Sequence, residues 1–169
     1  MVWGEPRLHP VALHYLEEPA CDYVQTAVET VIAIHRQQPD GDVLVFLTGQ
    51  EEVDAACALI REQLAQVRER LSGQRGKLRP LLAVPLYGAL PHEAQLKAFV
   101  AAPRGGRKVV VSTNIAETSI TLDGIVYVVD ACFAKASSFC PWNGASYLNV
   151  APCSRSSARQ RAGRAGRLR

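Results

Sequence analysis

Short apolar runs and longer periodic stretches take turns along this chain. Val43-Leu44-Val45-Phe46-Leu47, Val109-Val110-Val111 and Ile125-Val126-Tyr127-Val128-Val129 are unbroken apolar runs, the pattern of strands covered on both faces. Leu81–Leu86 is a further strand, and Pro85 within it has no amide to donate, which places it near a sheet edge. Val11–Tyr15 reads as another short strand. Apolar positions 20, 23, 24, 27, 28, 31 and 32, and then 53, 56, 57, 60, 64, 67 and 71, follow the 3.6-residue period of amphipathic helices. Pro91–Val100 predicts a short helix with Pro91 in its first turn. Strands alternating with helices predict an α/β fold, a mostly parallel sheet with helices on both faces.

The pattern changes from about Phe133. Polar and aromatic residues up to Val150 surround Pro141-Trp142-Asn143-Gly144. Asn-Gly is a strong turn signal, so a β-hairpin is expected to project from the sheet near residues 135–150. Pro39-Asp40-Gly41-Asp42 marks a turn, and Ser72–Arg79 a polar, basic surface loop. No repeat or linker divides the 169 residues, and a single domain over 1–169 is expected.

Composition narrows the class. With 48% hydrophobic and 21% charged residues the chain has the make-up of a soluble globular domain. No apolar run reaches the roughly 18 residues of a membrane span, and Met1–Glu5 lacks the pattern of a secretory signal. The five cysteines (21, 57, 132, 140, 153) include no Cys-x-x-Cys pair, and the four histidines (9, 14, 35, 92) show no ligand spacing. Reduced thiols inside a cell are expected, and no metal site. The net charge of +3 hides an asymmetry: residues 154–169 hold six arginines and no acid, leaving the remainder with 13 basic and 16 acidic residues. Positive charge gathered at one end suggests a site.

That end carries the chemistry. Arg161, Arg164 and Arg167 recur every third residue with only Ala and Gly between them. A guanidinium is planar, permanently charged and able to bind two phosphate oxygens at once. Gly163 and Gly166 weaken a helix, a cost that makes sense if the backbone passes close to a ligand or a second domain. Upstream, three polar segments directly follow apolar strands: Thr48-Gly49-Gln50-Glu51-Glu52, Tyr87-Gly88-Ala89-Leu90-Pro91 and Ser112–Ser119. Ligands of open α/β sheets sit at the carboxyl ends of strands, where glycines and small hydroxyl residues let backbone amides approach phosphates.

These segments resemble the motifs of the second RecA-like domain of DEAH-box (DEAH/RHA) helicases of superfamily 2. Val45–Val53 is similar to motif IV, Leu86–Pro91 to the segment after it, Ser112–Gly124 to motif V and Gln160–Arg167 to motif VI. The resemblance implies the C-terminal motor domain of an ATP-dependent RNA helicase, a fragment of a longer protein. It implies that Arg164 and Arg167 are arginine fingers facing an open cleft, with Gln160 placing the attacking water. Phe99 would stack on adenine, and Ser119, Thr121 and Asp123 would contact the nucleotide or sense its state. Thr48, Gly49, Gly88, Thr113 and Asn114 would line a track for single-stranded RNA, gripped by its backbone without regard to sequence. The implied partners are a first RecA-like domain, C-terminal accessory domains and a helicase-activating protein, with no membrane and a nuclear rather than cytoplasmic location.

ATP and Mg²⁺ would be held mainly by the first domain. This chain has neither Gly-x-x-x-x-Gly-Lys-[Ser/Thr] nor Asp-Glu-x-His, so the isolated fragment is expected to be inactive. Two departures from the family stand out. Cys132 occupies a position that is commonly Gly, and Phe139-Cys140-Pro141-Trp142 replaces a sequence like Tyr-Asn-Pro-Arg. Trp142 would stack on a base or pack on a neighbouring domain. The alternative function is a helicase-like scaffold with a degenerate first domain, binding RNA or protein without unwinding.

Overall fold

The computed structural model describes residues 9–71, 79–118, 120–142 and 144–166. Four parallel strands form the sheet: β1 (Asp42–Phe46), β2 (Leu81–Leu86), β3 (Arg107–Ser112) and β4 (Ile125–Asp130), in the order β2-β3-β1-β4. Pro85 lies on the edge strand β2, as its missing amide requires. The strands end level with one another. Ser112 pairs with both Phe46 and Leu86, and Phe46 pairs with Asp130. All four strand ends therefore deliver their following segments to one edge.

The two faces of the sheet are covered differently. Helices α1 (Tyr23–Gln37) and α2 (Gln50–Leu71) close one face, burying Val28, Val31, Val53 and Ile60 against Val43, Val45, Val109 and Val111. Asp22 caps α1, its carboxylate accepting from the amides of Val24 and Gln25 at 3.0 and 2.9 Å. On the other face, Leu44, Phe46, Val84, Leu86 and Val110 pack against Ala98, Ala116 and Leu122. That cover is thin: helix α3 (His92–Leu96) running into a 3-10 turn at Lys97–Phe99, and the four-residue α4 (Ile115–Thr118). Pro91 stands just before α3 rather than inside it.

Strands β5 (Phe133–Cys140) and β6 (Ala145–Pro152) form the expected hairpin, in unbroken antiparallel register from Phe133↔Pro152 to Cys140↔Ala145. Gly144 follows the turn with φ +67, a conformation glycine adopts without strain. Helix α5 (Arg155–Ala162) and a 3-10 turn at Gly163–Gly166 then bring residues 155–166 back beside β4.

Two expectations change. Val11–Tyr15 is not a strand. Val11, Leu13 and Tyr15 are exposed, and among the described residues no strand lies beside the segment to complete a ladder. Just before it, His9 N–H donates to Gly166 O at 2.9 Å. Gly166 is tight against that same segment: a Cβ there would meet His9 O at 2.7 Å, whereas one on Gly163 would meet nothing within 4 Å. The close approach is thus made by the chain's own residues 9–11. The loop expected at Ser72–Arg79 lies, up to residue 78, outside the described residues.

Two buried cations at the start of β3 hold the layers together. Arg107 is 1% exposed; it donates to the carbonyls of Ile34, Gln38 and Pro39 and lies 5.1 Å from the Tyr127 ring centroid. Lys108, 2% exposed, points to the other face and donates to Ala98 O and Val100 O, each at 2.9 Å. Asp42 is a looser partner at 3.8 Å. Burial pushes the Asp42 carboxyl above the usual carboxylate range, against the pull of the Lys108 amide and amine and of Arg107. Lys108 thereby clamps the turn that carries Phe99. We expect Lys108→Met to lower the free energy of unfolding by about 3 kcal/mol, because two carbonyls lose their donor and the Asp42 carboxylate, though still bonded to the amide of residue 108, loses the ammonium at 3.8 Å. Urea denaturation checks this, and a loss below about 0.5 kcal/mol would contradict it.

Candidate functional site

The level strand ends place three polar segments in a row. After β1, Thr48 is buried, its hydroxyl donating to Glu52 Oε1 at 2.8 Å and its amide to Glu52 Oε2 at 2.9 Å. Tyr23 adds a third bond to Glu52 Oε1 at 2.6 Å. Burial works to raise the pKa of Glu52, but these hydrogen bonds and the nearby Lys135 charge outweigh it and hold the carboxyl below its ordinary value. Thr48 is thus spent on fixing the start of α2. Its neighbour Gly49 lies under the amine of Lys135, close enough that a Cβ on Gly49 would sit 2.6 Å from Nζ. Lys135, a lysine on the first hairpin strand, was absent from the expected site. The hairpin register folds it back over the β1 end.

After β2, Gly88 is exposed, and a Cβ there would meet nothing within 4 Å. After β3, the Thr113 amide donates to Leu86 O at 3.2 Å, so the segment stays in register with the β2 end. Asn114 is exposed and Thr113 half-buried. Among the described residues the Thr113 hydroxyl makes no capping bond to α4, whose first turn is closed by backbone bonds from Ala116 N–H to Thr113 O and from Glu117 N–H to Asn114 O. Gly49, Gly88, Thr113 and Asn114 thus share one edge, with Lys135 above it.

The second cluster forms where the thin face meets α5. Arg161, 1% exposed, lies 5.0 Å from the Phe46 ring centroid. Its Nε donates to Glu117 Oε2 at 2.9 Å, and its Nη1 donates to Asp130 Oδ1 at 2.9 Å and Phe133 O at 3.3 Å. Burial works to lower its pKa, and the Asp130 and Glu117 carboxylates reverse that, leaving the guanidinium raised and fully charged. Glu117 also accepts from Ser157 Oγ. Ser154 caps α5 through the Ser157 amide at 3.1 Å.

Arg164 is 5% exposed, its guanidinium turned to the chain's own carbonyls, with Nη1 donating to Ile120 O at 2.8 Å and Nε to Glu117 O at 3.0 Å. The unpaired carbonyls after the short α4 draw the guanidinium inward. It still lines one wall of an open cleft of about 440 Å³ shared with Glu117, Thr118, Gln160 and Gly166. Gln160 is exposed there. Phe99 is 50% exposed at the end of its turn, and Thr121 and Asp123 are exposed beyond α4, on the same face of the sheet. Ser119 and Arg167 lie outside the described residues.

Comparison with known proteins agrees with this geometry. Residues 25–169 match the family model for the helicase conserved C-terminal domain. The chain is 49% identical over 161 residues to the pre-mRNA-splicing factor ATP-dependent RNA helicase prp22 of Schizosaccharomyces pombe, covering 95% of this chain and 13% of that protein. It is 47% identical over 165 residues to the probable ATP-dependent RNA helicase DHX35 of Homo sapiens, covering 98% of this chain and 23% of that one. The chain therefore spans less than a quarter of the length of these relatives. A crystal structure of the Escherichia coli DEAH/RHA helicase HrpB superposes with a TM-score of 0.77 at 40% identity, over 96% of this chain and 19% of that one. Family model, relatives and superposed structure converge: the chain belongs to the helicase conserved C-terminal domain family, in its DEAH-box branch.

Proposed function

We propose that this chain works as the second RecA-like motor domain of a longer ATP-dependent RNA helicase. The observation that carries the reading is the joining of the Ser112–Gly124 segment to the arginine ladder. Arg161 and Arg164 are both bonded to Glu117, and Arg164 also to the Ile120 carbonyl. A residue that senses nucleotide in one segment is thereby mechanically tied to the cations in the other. In this reading Arg167 and Arg164 meet the phosphates of ATP held on the first domain, and Gln160 orients the attacking water. Arg164 reaches them by exchanging its carbonyl partners for phosphate oxygens when the two domains close. Phe99 stacks on the adenine, with Ser119, Thr121 and Asp123 beside it. Mg²⁺ stays with the first domain, since this chain has no phosphate loop of its own.

RNA runs along the strand ends, its phosphates meeting Gly49, Gly88, Thr113 and Asn114, with Thr48 setting the Gly49 turn. Contacts of this kind position a strand without reading its bases. The accessory domains, an activating protein and a nuclear location are proposed by analogy with the splicing helicase to which the chain is similar. The scaffold alternative draws on one observation: Trp142 is 97% exposed at the hairpin tip, where the family that the sequence resembles commonly has a basic residue. Duplex unwinding by the full-length protein favours the motor. RNA binding with no ATP-dependent unwinding favours the scaffold.

In the full-length protein, Arg167→Ala should cut RNA-stimulated ATPase by about 10³-fold with an unchanged melting temperature. Arg164→Ala should lose as much activity and also about 1–3 kcal/mol of stability, because the Glu117 and Ile120 carbonyls lose their donor. An Arg164→Ala enzyme with normal turnover would take that residue out of the site. Thr113→Ala should weaken RNA binding by about 0.5–1.5 kcal/mol, alike for all sequences and with no change in melting. Unchanged affinity with lower stability would make Thr113 a structural residue.

A further inference from the structure

We propose that Cys132 and Cys153 form a redox-active dithiol that closes into a disulfide bond across the base of the hairpin. The two cysteines flank its first pair, Phe133↔Pro152, so they stand opposite each other one step further down. Cys153 N–H donates to Cys132 O at 2.8 Å, which locks that alignment. The two sulfurs and an Asp130 carboxylate oxygen all lie within 4.8 Å of one another. Cys132 is exposed and Cys153 half-buried, so an oxidant reaches the pair from solvent.

Backbone strain supports a purpose. Cys132 has φ +60, and among the described residues no other non-glycine has a positive φ. Glycine adopts this conformation freely, whereas a non-glycine residue there is uncommon and costs energy. A metal fits the cluster less well than a disulfide. Asp130 Oδ1 already accepts from the buried Arg161 guanidinium at 2.9 Å and from the Cys132 amide at 2.8 Å, so a cation would compete with a fixed positive charge.

The oxidant is a low-molecular-weight disulfide such as oxidised glutathione. One cysteine thiolate attacks it, forming a mixed disulfide and releasing one glutathione thiolate. The second cysteine, its proton passing to water, attacks the sulfur of the first and expels the other. Two protein thiols are oxidised and one glutathione disulfide is reduced to two thiols. Exposed disulfides are the labile, regulatory kind. This one ties the end of the β4 segment to the residue preceding Ser154, the cap of α5. It fixes the hairpin base beside the Asp130–Arg161 ion pair.

The test equilibrates the full-length protein with excess oxidised glutathione in the presence of a chelator. Free thiols are then alkylated and the digest is mapped by mass spectrometry. The expected result, in most molecules, is one peptide pair joined through Cys132 and Cys153. It is two hydrogens lighter than the separate peptides, is separated by dithiothreitol, and is absent from Cys132→Gly and Cys153→Ser. Either variant should leave a single glutathione adduct on the remaining cysteine. Separate glutathione adducts on both cysteines of the wild type would overturn the proposal. So would pairing with other cysteines, or both thiols staying free while the exposed Cys21 is modified.

Discussion

One guanidinium holds the working edge of this domain together. Arg161, nearly inaccessible to solvent, bonds to the α4 carboxylate Glu117, to Asp130 at the end of β4 and to the Phe133 carbonyl at the hairpin base, with its Cζ over the Phe46 ring of β1. Four elements besides its own helix meet at one side chain. A charge buried this deeply is tolerated only when it is fully paired, and here two carboxylates and a carbonyl supply the pairing. Lysine could not reproduce it, having no planar fork to reach three acceptors in fixed directions.

The rest of the site inherits its geometry from that anchor. With α5 fixed against α4, Arg164 falls naturally on the carbonyls of Glu117 and Ile120, and Gln160 is left at the rim of the cleft. With the hairpin base fixed against β4, Lys135 comes to rest over Gly49. The opposite face, covered by two long helices, is an ordinary apolar core. The thin face is the more open one, because short α3 and α4 leave Phe99, Thr121 and Asp123 accessible.

Much of this was legible in the sequence, for definite reasons. The central strands are continuous apolar runs because helices cover both sides, and the amphipathic helices kept their period because each buries one stripe. Asn143-Gly144 announced the hairpin. What the pattern could not show is where polar residues go once the chain is packed. Arg107 and Lys108 look like a solvent-facing strand end, yet the carbonyls that bury them belong to residues distant in sequence or on another layer. Arg161 and Arg164 belong to one three-residue ladder, and it is their packed neighbours, Glu117 of α4 and Asp130 of β4 for Arg161 and the Glu117 and Ile120 carbonyls for Arg164, that turn both inward. Val11–Tyr15 has strand composition, but a strand needs a neighbour, and composition says nothing about whether one is present. The meeting of Cys132 with Cys153 follows from the hairpin register, which no motif records.

Hydrogen exchange on Arg161→Met, compared with wild type, tests most directly whether one side chain joins these elements. If it does, amides of Ile115–Thr118, the end of β4 and the first residues of β5 should all exchange about a hundredfold faster. That is the opening expected from losing about 3 kcal/mol of buried pairing. Faster exchange confined to α5, with α4 and the hairpin base protected as before, would contradict the account.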